Sequence, residues 1–190
     1  MKKSTEISNL FEKSIRTIES SKNLNSDIAT IVNKIVICFN HKKKIVIFGN
    51  GGSAADAQHM AAEFVGRYLL KRKSFPAISL TTDTSVITSI GNDFDFNSIF
   101  SRQCESIVNK GDIVIGISTS GNSENVIKGI IASKKQGAIT IGITGGTGGK
   151  LKKMVDYVLI SPSNETPHIQ ESHRVIIHTI CNLVEKYAKK

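Results

Sequence analysis

A chain of 190 residues, 39% apolar and 22% charged, is long enough for one core-bearing domain and too apolar for a disordered tail. Its formal net charge of +9 suits an anionic ligand; the lysines are scattered, with short runs only at 42–44, 71–73 and the C-terminus, which reads as solvated faces rather than a nucleic-acid surface. Cys38, Cys104 and Cys181 are odd in number and form no Cys-x-x-Cys pair, so neither a disulfide framework nor a thiolate metal site is expected.

The N-terminus leads into charged residues without a signal-like apolar region, and no segment approaches the ~18 apolar residues needed to cross a bilayer, so a cytoplasmic chain with no membrane role is expected. Ile7, Leu10, Phe11, Ile15 and Ile18 recur at spacings of three and four, as do Ile28, Ile31, Val32, Ile35, Val36 and Phe39. These predict two amphipathic helices within residues 1–40, the second capped at Ser26-Asp27. Each stripe needs a surface to cover it, either the domain that follows or another subunit, so these helices are expected to contribute to oligomerisation.

From Lys44 the rhythm changes. The apolar run 45–48 ends in Gly49-Asn50-Gly51-Gly52-Ser53 and leads into a helix predicted over 54–70. Strand 77–80 precedes a helix over 85–90, and strand 113–117 ends in Ser118-Thr119-Ser120-Gly121-Asn122-Ser123 before a helix over 124–136. Strand 139–143, a glycine-rich turn over 145–149, strand 157–160 and a last helix over 169–186 complete the chain. Strands alternating with helices predict an α/β fold: a doubly wound parallel sheet flanked by helices, a flavodoxin-like sandwich with an N-terminal helical extension, in one domain over residues 1–190.

Ligands of such sheets bind beyond the carboxyl ends of the strands, where two of these loops fall. Glycines in the first let a ligand approach the backbone, and the helix behind it offers free N–H groups and partial positive charge. Gly49, Gly51 and Ala54 also satisfy the loose dinucleotide spacing, but Leu69-Leu70-Lys71-Arg72-Lys73 stands where that pattern needs an acidic residue. The second loop offers four hydroxyls at a helix N-terminus with no Lys or Arg, more than one cap requires, and reads as a phosphate site. His59 and Glu63, four residues apart on one helix face, are acid/base material or ligands for a divalent metal. The last helix adds Gln170, Glu171, His173 and His178 within an otherwise apolar pattern.

Taken together, the Gly-Asn-Gly-Gly-Ser loop, His59-x-x-x-Glu63, Gly91-Asn92-Asp93, the Ser-Thr-Ser-Gly-Asn-Ser loop and Ile169-Gln170-Glu171 ahead of His178 resemble the bacterial phosphoheptose isomerases of the sugar isomerase (SIS) domain family. The resemblance runs through almost the whole chain. It implies an aldose-ketose isomerase that converts sedoheptulose 7-phosphate to D-glycero-D-manno-heptose 7-phosphate for surface-polysaccharide heptose, acting as a homotetramer with zinc. It further implies that Asn50, Gly51, Gly52 and Ser53 contact the sugar, Asn92 and Asp93 its hydroxyls, and Ser118, Thr119, Ser120 and Ser123 the phosphate. His59, Glu63, Gln170 and His178 match the metal positions, Gln170 is also a substrate contact, and Glu63 is the base with His178 its partner. An unbroken helix from Gln170 to His178 separates them by about 12 Å, so one shared ion requires the helix to start after Gln170. The rival implied by the same resemblance is a catalytically silent SIS-domain adaptor that binds the replication initiator protein. A sugar-phosphate-sensing regulator fits least, because residues 1–40 hold two helical stripes and no recognition helix.

Overall fold

A computed structural model describes residues 2–188 of the protein. Helix α1 (Lys2–Ser20) and a short 3-10 turn lead into α2 (Asn25–Asn40), followed by β1 (Ile45–Gly49), α3 (Gly52–Val65), β2 (Ala77–Ser79) and α4 (Thr84–Asp93). Then come α5 (Ile99–Ile107), β3 (Ile113–Ser118), α6 (Glu124–Lys135), β4 (Ile139–Gly145), β5 (Tyr157–Ser161) and α7 (Thr166–Tyr187). The five strands form one sheet in the order β2-β1-β3-β4-β5, every pair parallel. The doubly wound expectation therefore holds, and strand order reverses between β1 and β3, the place where such sheets open a ligand crevice.

Side chains alternate through the sheet to two cores. Ile45, Ile47, Ile113, Ile115, Ile117, Ile141 and Ile143 meet α2, α3 and α7 on one face, while Val46, Phe48 and Val114 meet α4, α5 and α6 on the other. Because both faces are covered, the strands read as continuous apolar runs rather than as alternating ones. At Gly116 an added Cβ would stand 3.0 Å from Val126 and 3.2 Å from Ile130, so the missing side chain is what lets α6 lie close on β3 and bring its N-terminus to the crevice.

Several predicted boundaries move, the second helix starting at Asn25 without the expected Ser26-Asp27 cap among them, and two of the shifts matter for the site. The helix expected over 54–70 ends at Val65, where Gly66 leaves helical geometry, and residues 66–76 run as a loop. The last helix begins at Thr166, with Pro167 in its first turn, three residues earlier than expected.

The two N-terminal stripes part company. That of α2 is buried in the core through Ile28, Ile31, Val32, Ile35 and Phe39. Helix α1 instead meets α7 through polar groups, Ser14 Oγ with His168 Nδ1 at 3.2 Å, flanked by Ser21 just beyond α1 with Ser172 (2.8 Å) and by Lys13 with Glu165 just before α7 (3.1 Å), and leaves Ile7, Leu10, Phe11 and Ile15 more than half exposed. Among the described residues no helix is long and apolar enough to cross a membrane.

Candidate active site

The loops after β1 and β3 face each other across the strand-order reversal. In the first, Gly51 has φ +54°, a conformation that costs an L side chain but not glycine, and it starts α3. A Cβ on Gly49 would meet the Ile117 carbonyl at 2.7 Å, and one on Gly52 would collide with the amide of Gln170, so both glycines mark close approaches to β3 and to α7.

In the second loop Ser123 stands at the N-cap of α6, yet its side chain makes no capping bond. Its Oγ lies 2.9 Å from Ser118 Oγ instead. The hydroxyls are thus not consumed by the helix end, which weighs against a mere capping cluster. The loop is braced from behind by the glycine-rich turn after β4: Gly145 N–H donates to Thr119 O, Leu151 N–H to Gly121 O, and Lys150 N–H to Asn122 Oδ1.

Asn125, absent from the sequence reading, joins the two loops. Its amide and that of Asn50 bond reciprocally, Asn50 Nδ2 donating at 2.8 Å and Asn125 Nδ2 at 2.9 Å, while Asn125 Oδ1 also accepts from Val126 N–H. Asn92 and Asp93 occupy the exposed last turn of α4 and bond to each other at 2.8 Å.

Helices α3 and α7 run side by side, and successive turns pair across the seam: Gly52 with Gln170, Asp56 with Arg174, His59 with His178. His59 Nε2 and His178 Nε2 are 2.8 Å apart, so one imidazole donates and the other accepts. Glu63 Oε1 lies 3.5 Å from the same His59 nitrogen. Burial holds His59 below the usual histidine range; Arg174 and His178 add to that, against the pull of Glu63. Asp56, almost wholly buried, takes a 2.7 Å ion pair from Arg174, and burial nonetheless pushes its carboxyl upward. Its other oxygen has no partner.

His59, Glu63 and His178 are therefore brought together, and Gln170 is not. Because α7 is unbroken from Thr166, Gln170 sits about 12 Å along the axis from His178 and lies instead over Gly52, about 10 Å from His59 along α3. The helix start that a shared ion required is not what the chain adopts. His173, counted with the site residues in the sequence, also departs: it is fully buried away from the seam and its Nε2 bonds the Thr144 carbonyl at 3.0 Å. Asp56, Asn125 and Arg174 were missed; for Asp56 and Arg174 the signal was helical spacing from His59, Gln170 and His178.

What the fold and this geometry define is an α/β domain of the doubly wound class, with a glycine loop and a hydroxyl loop at helix N-termini along the crevice and two imidazoles and a carboxylate on the neighbouring seam. The sequence profile of the SIS domain matches residues 10–145. The phosphoheptose isomerase of Sulfurimonas denitrificans is 50% identical over 171 residues, covering 90% of this chain and 88% of that protein. That of Geobacter sulfurreducens is 54% identical over 144 residues, 76% of each chain. The solved structure of phosphoheptose isomerase GmhA from Neisseria gonorrhoeae superposes with a TM-score of 0.92 at 38% identity, covering 96% of this chain and 98% of that one. The chain belongs to the SIS domain family, among its phosphoheptose isomerases.

Proposed function

We propose that this protein interconverts sedoheptulose 7-phosphate and D-glycero-D-manno-heptose 7-phosphate, supplying heptose for surface polysaccharide. The observation that carries the reading is the convergence of Glu63, His59 and His178 on one seam. Relatives of about half-identical sequence bear the phosphoheptose isomerase name over nearly their full length.

Ketose-to-aldose isomerisation moves one proton between adjacent carbons through an enediol and one between the attached oxygens. Glu63 takes the proton from the first carbon and returns it to the second, and His178 handles the oxygen protons. The phosphate rests on Ser118, Thr119, Ser120 and Ser123, and the sugar on Asn50, Gly51, Gly52 and Ser53, with Asn92, Asp93 and Gln170 reaching its hydroxyls. Binding energy gathered at the phosphate is thereby available far from the reacting carbons.

Two imidazoles and a carboxylate are a donor set that suits zinc, so His59, His178 and Glu63 would hold the ion; among the described residues no three such side chains already stand as a cage. When bound, zinc supplies Lewis-acid polarisation of the substrate oxygens. The homotetramer is supported by the open apolar stripe of α1, and a cytoplasmic setting by three buried thiols left unpaired.

Turnover of sedoheptulose 7-phosphate by wild type and Glu63→Gln, with chelator and with added zinc, tests the reading. Loss of the base is expected to lower kcat by at least about 100-fold with the phosphate contacts intact. No turnover by metal-replete wild type would overturn it.

A further inference from the structure

The seam between α3 and α7 has one more rung. Glu185 follows His178 by seven residues, two helical turns, and so leaves α7 on the same side. Its carboxylate, 2% exposed, accepts from the backbone N–H groups of Tyr68 (3.0 Å), Leu69 (2.7 Å) and Leu70 (2.6 Å) and from Arg72 Nε (2.9 Å). The buried Arg72 then turns its remaining donors on backbone carbonyls. Nη2 reaches the carbonyl of Glu63 at 2.8 Å, and Nη1 those of Phe64 at 2.9 Å and Lys73 at 3.0 Å. Its guanidinium also lies 4.1 Å over the Phe75 ring.

The last carbonyls of a helix lack intrahelical donors, and many groups can satisfy them. Here they are satisfied by a planar fork whose other edge is tied to the helix that carries His178, so the end of α3 and the body of α7 share one buried junction. The loop so held also places the Tyr68 ring 5.6 Å from the ring of His178.

We propose that Arg72 and Glu185 are positioning residues of the isomerase site: the pair locks the last turn of α3, which carries Glu63, against α7, and so fixes the separation of Glu63 from His178. This rests on the reading that those two residues move the proton. Neither Arg72 nor Glu185 touches the substrate; they act through the backbone of the residue that does.

Arg72→Lys keeps a cation beside Glu185 but loses the fork that bridges to two α3 carbonyls. Small displacements of reacting groups cost up to about 100-fold in rate, so kcat is expected to fall at least about tenfold. The KM for substrate and the inhibition constant of inorganic phosphate should stay within about twofold, because the hydroxyl loop after β3 belongs to a different element. The same split is expected of Arg72→Met/Glu185→Leu, which removes both charges together and avoids leaving one buried alone, and which decides the matter should the single variant fail to fold. A folded variant with wild-type kcat, or one that loses turnover and phosphate affinity in parallel, overturns the proposal. An inactive wild type, assayed alongside, strikes the isomerase reading itself and this one with it.

Discussion

His173 and His178 are five residues apart on one helix and live in different media. His173 is sealed in the core, and burial pushes its pKa down to about 4, against the modest support of its bond to the Thr144 carbonyl. It is neutral when folded and protonates near 6.5 when unfolded, so the unfolded chain binds the extra proton between those values. Stability is expected to fall by about 3 kcal/mol as pH drops from 6.5 to 4, the direction set by a histidine that folding keeps uncharged. Urea midpoints at constant protein concentration should track this slope and flatten in His173→Asn; a flat wild-type profile over that range would sink the account. Glu185 works in the opposite sense: burial raises its pKa, but three backbone N–H groups and Arg72 outweigh that and hold it low. Its contribution is present above the unfolded carboxylate range and is lost only as pH falls through the depressed value.

At the scale of elements, the hydroxyl loop after β3 depends on a turn that comes only after the next strand. Gly121 has φ +65°, and a Cβ there would collide with the backbone carbonyl of Gly148 and approach Thr144 Oγ1 at 2.9 Å. Backbone cannot swing aside as a side-chain tip can. Gly121→Ala is expected to cost more than the roughly 1–2 kcal/mol of left-handed strain alone, and to raise the KM for a phosphorylated substrate. A denaturation midpoint and KM equal to wild type would show the brace to be unnecessary. Neighbouring elements differ in how far their sequence displayed them. The hydroxyl loop was readable because four Ser and Thr residues exceed what a helix cap uses. Asn125 was not, since an asparagine near a helix start is ordinary until its partner Asn50, 75 residues away, is seen facing it.

At the scale of the whole molecule, the contrast between α1 and α2 bears on the proposed assembly. Both stripes have the helical period, yet only that of α2 finds the sheet; Ile7, Leu10, Phe11 and Ile15 remain open on the outer face of α1. If the proposed tetramer closes on this face, Leu10→Glu/Phe11→Lys is expected to convert it, read by analytical ultracentrifugation, into smaller species, because charges placed there would have to be desolvated. A variant that still sediments as wild type would place the interface elsewhere.

The sequence alone determined the βα alternation, the parallel sheet and the two loops at its carboxyl end, because these rest on apolar periodicity and on turn chemistry that act over a few residues. It also made His59 and Glu63 legible, four residues apart on one face. Which residues complete the site was a tertiary decision. The pairing of α3 with α7 set His178 on His59, moved Gln170 over Gly52, and brought Asp56 to Arg174 and, through the loop after α3, Arg72 to Glu185, while the packing of α7 on β4 hid His173. Partners more than 100 residues apart in sequence leave no local signal; they are chosen by helix packing on the sheet, and the register of that packing is fixed only once both helices have buried their apolar faces.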